Sequence, residues 1–470
     1  MSTRVLTVCG IFLWCTALLH AAVSLPCVFQ QHMVLQREHK IPVWGWAAPG
    51  ETVTVVLQSN TAAATADAAG AWCTTLPAMK AGGPYILTVA GTNSITIQDV
   101  LIGDVWLCSG QSNMEMGVNG AQNGKEEMAA ANYPNIRLFY GGGDLAATPQ
   151  ADEKNGSWWV CAPDTVGYFS AVGYFFARAI YLEQRVPVGI MNVSWSGTQI
   201  EGWIPRAAYA VDPLLAPMLE TLNTPLASTM PTVIYNGRIH PLVPFALRGV
   251  LWYQGESNVS HPALYRHELP ALITGWRRAW MQGDFPFLLV QLPNFQAVTE
   301  LPGESNWAEL REAQALACTA PNVGLAVTID IGEAENIHPK NKQEVAHRLA
   351  RIALHTVYGS KTEYSGPCYD RMKINGQTIR LSFTHLGGGL EAQGGGKLTG
   401  FAIAAADGKF VWADAVIAHD KVLVSSPQIA HPTTVRYAWA DNPRCNLYNK
   451  AGLPAAPFRT DAGNATAQGK

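Results

Sequence analysis

The chain has 470 residues, a formal net charge of −3 and only 14% charged residues. This length exceeds what one hydrophobic core usually supports, so two or three domains are expected. The near-neutral charge balance excludes a basic surface for nucleic acid, and the apolar content of 48% is typical of a globular protein.

The N-terminus has the pattern of a signal peptide. Arg4 supplies a positive charge, residues 5–19 form an apolar stretch, and small residues follow at 21–24. The apolar stretch is shorter than the roughly 20 residues that cross a bilayer, which favours a cleaved signal over a membrane anchor. We therefore predict a signal peptide at 1–24, a secreted or periplasmic location, and no membrane association after cleavage.

The pattern of predicted secondary structure changes twice along the remaining sequence. Short β-rich runs at 25–99 predict an N-terminal β domain of the sandwich type. Apolar strands alternate with helical stretches at 100–360, which predicts an α/β domain whose parallel sheet is covered on both faces. Residues 361–470 are again Gly-rich and predict a C-terminal β region. The predicted strands are 41–46, 52–57, 85–89, 188–193, 249–253, 287–291, 378–383 and 422–426, and the predicted helices are 172–184, 264–280 and 309–320.

Cysteine usage argues against a metal site. Seven cysteines remain after the predicted signal peptide, and they are scattered without a C-x-x-C pair. A zinc site is therefore not expected, and no metal or cofactor is predicted. One or two disulfides are compatible with export, but the spacing does not determine any pairing.

The first candidate functional segment follows the apolar run at 105–108. Gly110 allows the chain to leave the strand sharply, and Ser112 then lies at the carboxyl end, where open α/β sheets bind ligands. Ser112 is therefore a candidate nucleophile. Taken alone, such a segment favours the simpler interpretation of a polar turn after a strand.

Two further polar clusters also follow apolar strands. Gly197 comes after the run that ends at Val193 and offers a backbone N–H to a ligand. Gln254 and Asn258 follow the strand at 249–253, and their neutral amides suit an oxyanion. Each cluster alone is also an ordinary loop, so their joint occurrence carries the prediction.

A histidine base is predicted at His338, in a loop just before a helix. Glu335 lies three residues earlier and is placed to accept the Nδ1–H of the imidazole. His240 is the rival candidate, because it also lies in an Ile-His-Pro tripeptide. It has no acidic residue between Thr232 and Arg248, which favours His338.

These residues together form the set that a serine hydrolase needs: nucleophile, base, orienting group and oxyanion donors. Two alternatives stay open. Carboxylates paired for glycoside hydrolysis cannot be recognised from spacing. A non-catalytic carbohydrate-binding protein is the other alternative, although the set of polar clusters at strand ends argues against it. Fifteen tryptophans favour a carbohydrate ligand in either case, because aromatic faces stack on sugars.

The chain resembles the sialate O-acetylesterase family, a branch of the SGNH-type hydrolases, over nearly all of the mature sequence. The matching segments are 33–37, 43–46, 110–114 (GQSNM), 169–176, 196–198, 235–242, 252–258 (WYQGESN), 337–339 with 341–343, 436–439 and 446–449. The resemblance implies an α/β fold: a three-layer, SGNH-hydrolase-like catalytic domain with flanking β-sandwich segments.

The resemblance also implies roles for individual residues. Ser112 would be the nucleophile and His338 the general base. The N–H groups of Ser112 and Gly197, with the Gln254 or Asn258 side chain, would hold the oxyanion. SGNH relatives often carry Asp three residues before the histidine, where this chain has Glu335. Both a Ser-His-Glu triad and a Ser–His dyad oriented by a backbone carbonyl therefore remain open.

The sequence thus predicts a serine esterase that removes O-acetyl groups from sugars through an acetyl-enzyme. O-acetylated sialic acid is the expected substrate, and acetylated xylan or another plant polysaccharide is the alternative. The expected partner is this O-acetylated carbohydrate, with no nucleic acid.

Overall fold

The computed structural model describes residues 22–153 and 155–461. The predicted signal peptide therefore lies almost entirely outside the described residues. Within these ranges no helix is both long and apolar enough to cross a membrane. All seven cysteines in the described part of the chain are free thiols.

The N-terminal region consists of short strands, as predicted. Along the second strand, buried and partly buried residues alternate, which is the pattern of a strand that packs one face on a core. The second and fifth strands pair with each other, and the third pairs with the fourth and sixth. The strands are β1 (Val34–Gln36), β2 (Ile41–Trp46), β3 (Thr52–Leu57), β4 (Asn60–Thr65), β5 (Ala71–Leu76), β6 (Gly82–Ala90) and β7 (Ser94–Gly110).

The long strand β7 continues from the N-terminal region into a central sheet. The predicted boundary between residues 99 and 100 falls inside this strand, so the two regions share it. The central sheet has the order β13-β12-β11-β7-β10-β8-β9, and all neighbours run parallel except β8 and β9. The further strands are β8 (Tyr133–Tyr140), β9 (Ser157–Cys161), β10 (Val188–Ser194), β11 (Gly249–Tyr253), β12 (Phe287–Val290) and β13 (Val323–Ala326).

Helices cover both faces of the central sheet. Trp106 and Cys108 of β7 belong to the hydrophobic core that includes α3 and α7, whereas Val105 and Leu107 belong to the core that includes α5 and α6. This alternation confirms the prediction that both faces are covered. The helices are α1 (Ser112–Glu115), α2 (Gly124–Ala129), α3 (Ala171–Gln184), α4 (Arg206–Tyr209), α5 (Pro262–Trp280), α6 (Asn306–Ala317) and α7 (Lys342–Thr356).

The C-terminal region is a set of small antiparallel sheets around a third core. The strands predicted at 378–383 and 422–426 are both present. The strands are β14 (Cys368–Asn375), β15 (Thr378–Thr384), β16 (Leu390–Ala392), β17 (Phe401–Ala404), β18 (Val411–Trp412), β19 (Asp414–Ala418), β20 (Lys421–Ser425), β21 (Thr434–Tyr437), β22 (Leu447–Asn449) and β23 (Phe458–Arg459).

The register of the central sheet brings three strand ends to one place. Gly110, the last residue of β7, pairs with Ser194 of β10 on one side and with Tyr253 of β11 on the other. After β7 the chain forms β8, β9 and β10 on one side of that strand, and the connection from β10 to β11 then crosses to its other side. Such a reversal of strand order creates a crevice at the carboxyl ends of the strands. The loops after β7, β10 and β11 therefore meet at one edge.

Candidate active site

Ser112 is presented by a sharp exit from β7. Gly110 has a φ of +132°, and a Cβ at this position would lie 2.1 Å from the carbonyl oxygen of Tyr253. Only glycine fits such a position. The N–H of Gln111 then donates to Tyr253 O at 3.0 Å, and α1 begins at Ser112. The N–H of Ser112 therefore lies in the first turn of a helix, where it has no intrahelical partner.

The predicted base and nucleophile are in contact. His338 Nε2 lies 2.8 Å from Ser112 Oγ, although the two residues are 226 positions apart. The rival His240 lies elsewhere, with its Nδ1 at 2.8 Å from Gln150 O. The structure therefore brings His338, and not His240, to the serine.

The loop that carries His338 is held through its main chain. Asn336 Oδ1 accepts from the N–H of His338 at 3.0 Å, and Asn336 Nδ2 donates to the carbonyl of His338 at 2.9 Å. Asn113, next to the serine, donates through Nδ2 to the carbonyl of Ile337 at 2.9 Å. These bonds fix the backbone on both sides of the imidazole and thereby restrict its orientation.

The expected role of Glu335 is not supported by this geometry. Glu333 and Asn336 pair across a tight turn, which leaves Glu335 exposed at the tip. Among the described residues, the Glu335 side chain has no hydrogen bond or ion pair, and His338 Nδ1 likewise has no hydrogen-bond partner. The structure therefore assembles a Ser–His pair without a carboxylate on the histidine.

The backbone N–H groups of Ser112 and Gly197 are both unpaired among the described residues. Gly197 is exposed with a φ of +71°, and a Cβ there would meet no atom within 4 Å. The N–H groups of Gly197 and Ser112 make no hydrogen bond to any described residue. They lie at the ends of the adjacent strands β10 and β7, so both suit an oxyanion.

The side chains of Gln254 and Asn258 are already committed elsewhere. Gln254 Nε2 donates to Asn258 Oδ1 at 2.7 Å and to Gln111 Oε1 at 3.1 Å. Asn258 Nδ2 donates to Glu201 Oε2 at 2.9 Å. Both residues are buried, with 0% and 1% exposure. These amides therefore brace the loop after β11, and the contacts do not support their predicted role as oxyanion donors.

Gln111 has a free donor that the sequence analysis missed. Its Oε1 accepts from the backbone N–H groups of Gly255 at 3.4 Å and Ser257 at 3.2 Å. Backbone N–H groups only donate, so they fix which end of the amide faces them. Gln111 Nε2 makes no hydrogen bond to any described residue and is not fully enclosed. The one sequence feature that could have identified Gln111 as a candidate donor is its position directly before Ser112.

A buried polar network lies behind the Ser–His pair. Lys342 Nζ donates to Asn113 Oδ1 at 2.5 Å, and Asn113 Nδ2 donates to Glu256 Oε1 at 2.5 Å. Burial lowers the pKa of Lys342 to about 7 and raises the pKa of Glu256. Burial, and then the Lys342 ammonium, lower the pKa of His338. Both effects favour the neutral imidazole that a general base requires.

Metal ligands are not clustered here. Within residues 22–153 and 155–461, no group of three or more His, Cys, Asp or Glu side chains is arranged to hold a metal ion.

Comparisons with known proteins agree over most of the chain. The family model described as carbohydrate esterase, sialic acid-specific acetylesterase, matches residues 102–355. Sialate O-acetylesterase of Rattus norvegicus is 30% identical over 507 residues, which cover 91% of this chain and 92% of the rat protein. The Homo sapiens protein of the same name is 30% identical over 491 residues, with 91% and 90% coverage.

A crystal structure also matches closely. A carbohydrate acetylesterase from Xanthomonas citri superposes with a TM-score of 0.88 and 41% identity, covering 94% of this chain and 100% of that one. The fold, the site and these relatives define a carboxylic ester hydrolase. More narrowly, the chain belongs to the sialic acid-specific acetylesterase family of carbohydrate esterases.

Proposed function

We propose that this protein is a serine esterase that removes O-acetyl groups from carbohydrates through an acetyl-enzyme, within an SGNH-hydrolase-like three-layer domain at 100–360. The observation that carries the proposal is the 2.8 Å contact between Ser112 Oγ and His338 Nε2 at the ends of parallel strands. The N-terminal signal pattern supports a secreted or periplasmic location.

The first half of the reaction acetylates the serine. His338 Nε2 takes the proton from Ser112 Oγ as that oxygen attacks the acetyl carbonyl. The N–H groups of Ser112 and Gly197, together with Gln111 Nε2, donate to the resulting oxyanion. The bond to the sugar oxygen then breaks, and His338 gives its proton to that oxygen. The sugar leaves with a free hydroxyl.

The second half returns the enzyme to its starting state. Water occupies the place of the sugar, and His338 removes one of its protons as the oxygen attacks the acetyl carbonyl. The same three donors hold the second oxyanion. Acetate then leaves, and the proton on His338 returns to Ser112 Oγ.

The proposed substrate is O-acetylated sialic acid, because the matching family model and the curated relatives carry that specificity in their names. A second candidate is acetylated xylan or another plant polysaccharide. It fits the broader description of the Xanthomonas citri relative, 41% identical, as a carbohydrate acetylesterase.

Measurements of acetate release test both the serine mechanism and the proposed substrate. Wild type and Ser112→Ala are compared on O-acetylated sialic acid and on acetylated xylan, with folding of the variant checked by circular dichroism. We expect release by wild type and loss of at least about 1000-fold in Ser112→Ala. A folded Ser112→Ala protein with full activity would contradict the serine mechanism. The preferred substrate identifies the specificity.

A further inference from the structure

Trp195 lies directly beside the catalytic turn. It follows the last residue of β10, and its N–H donates to the carbonyl of Gly110 at 3.0 Å. Gly197, with its unpaired N–H, is two residues further along the same loop. The backbone of Trp195 is therefore tied to the strand end that presents Ser112.

Arg238 packs against one face of the Trp195 indole. The guanidinium carbon lies 3.8 Å from the ring centroid, which is a close cation–π stack. The guanidinium is itself held, because Nε donates to Gly143 O at 2.9 Å and Nη1 donates to Ser194 O at 3.3 Å. Trp195 is partly buried, because it also packs against the hydrophobic core that includes α5 and α6.

The rest of the loop is also fixed in place. Glu115, the last residue of α1, accepts from the N–H of Ser196 at 2.6 Å and from its hydroxyl. The space beside Gly197 is open, since no atom lies within 4 Å of a Cβ built there. An indole held on one face by Arg238 therefore lies two residues from the open space beside Gly197.

We infer that Trp195, backed by Arg238, is the platform on which the pyranose ring of the acetylated substrate stacks. The inference rests on the proposed esterase function and adds a residue that selects for sugar over simple esters. An indole suits this task because its broad apolar face buries the C–H groups of a sugar ring. Arg238 holds the ring in one orientation before the sugar binds, which reduces the ordering that binding requires.

The test compares a sugar ester with an ester that has no ring. Trp195→Ala and Trp195→Phe are assayed for acetate release from the acetylated sugar that wild type prefers and from ethyl acetate. We expect Trp195→Ala to lose about tenfold in kcat/KM on the sugar, mainly through KM, because the stacking contact is gone. The loss on ethyl acetate is much smaller, and Trp195→Phe recovers most of the activity on the sugar.

Trp159 provides the matched control. It is 48% exposed on the edge strand β9, and its indole N–H donates to Ser157 Oγ at 2.8 Å. Trp159→Ala should match wild type on both substrates. Equal losses on both substrates in Trp195→Ala, or no loss on the sugar, would overturn the inference. Failure of the proposed function looks different, because Ser112→Ala would then retain the wild-type activity.

Discussion

At the scale of single residues, the amide of Gln111 offers the sharpest probe of the oxyanion site. Two backbone donors hold its Oε1 and leave Nε2 free next to Ser112. Gln111→Glu keeps the accepting oxygen and replaces the donor with a second oxygen. Because one oxyanion donor is lost, we expect kcat to fall by about 100-fold, measured as acetate release by a variant of unchanged thermal stability. An unchanged kcat would exclude Gln111 from the oxyanion site.

The environment of His338 predicts how activity depends on pH. Burial and Lys342 both disfavour the imidazolium, so the pKa of His338 lies below its ordinary value. The acid limb of the kcat/KM profile should therefore lie below pH 6.5. Lys342→Met removes the repelling charge and should move this limb upward. The exposed Lys340 in the same loop gives the control, since Lys340→Met should leave the limb in place. An unmoved limb in Lys342→Met would contradict the argument.

The sequence predicted those site residues that follow a local pattern, but not the contacts between residues far apart in the chain. Ser112 and His338 were predicted because each follows a local pattern at an element boundary. The bonds from Asn113 to Glu256 and Lys342 were not, since they span 143 and 229 positions and depend on sheet order. Glu335 was assigned from its position three residues before the histidine, which the SGNH resemblance also implies. The turn that exposes its side chain has no strong local signal, so the triad with Glu335 stays a prediction that this geometry does not support.

At the scale of elements, the turn after β7 tolerates no side chain. Gly110→Ala would place its Cβ against the carbonyl of Tyr253 and would force a φ of +132° on an L-residue. We expect a loss of about 3 kcal/mol or more in the free energy of unfolding, measured by urea denaturation. Gly283→Ala is the control. Gly283 also has a positive φ, +68°, but a Cβ built there would have no atom within 4 Å. Its loss should be only about 1 kcal/mol. Equal losses would show that the close contact is unimportant.

The periodicity of apolar residues predicted where most of the compared helices and strands lie, but it predicted their first and last residues less well. The helix predicted at 264–280 begins at Pro262, because proline lacks an N–H that the first turn would leave unused anyway. The strand predicted near 105–108 is part of β7, which starts at Ser94. Polar residues in its first half resemble a loop when neighbouring strands are unknown. Pairing with β6 accounts for their extended conformation.

At the scale of the whole molecule, the C-terminal region is bonded to the histidine loop. Asn442 Nδ2 donates to the carbonyl of Gln296 at 2.6 Å, and the N–H of Gln296 donates to Ala334 O at 3.0 Å. Ala334 lies in the loop that carries His338. No sequence pattern predicts this chain of contacts, because it joins segments from different regions. It implies that the catalytic loop and the C-terminal sheets depend on each other.

Arg311 of α6 is a buried connection between the loop after β12 and the C-terminal region. It is 0% exposed, and its guanidinium donates to the carbonyls of Leu292, Pro293, Ala440 and Asp441 at 2.7–2.8 Å. Arg311→Met would remove one donor from each of these carbonyls and leave those of Leu292 and Ala440 without any, since Trp307 still donates to Pro293 O and Phe295 to Asp441 O. We therefore expect a loss of about 3 kcal/mol or more in the free energy of unfolding.

Urea titration monitored by fluorescence and by acetate release measures both the stability and the coupling. Since the regions depend on each other, both signals should fall at the same urea concentration, and that midpoint should be lower in Arg311→Met. Arg371→Met removes an exposed arginine, 74% accessible in its side chain, and should change stability by no more than about 0.5 kcal/mol. If Arg311→Met released the C-terminal sheets while acetate release persisted, the two regions would be energetically independent, and the bonds through Gln296 would not govern the catalytic loop.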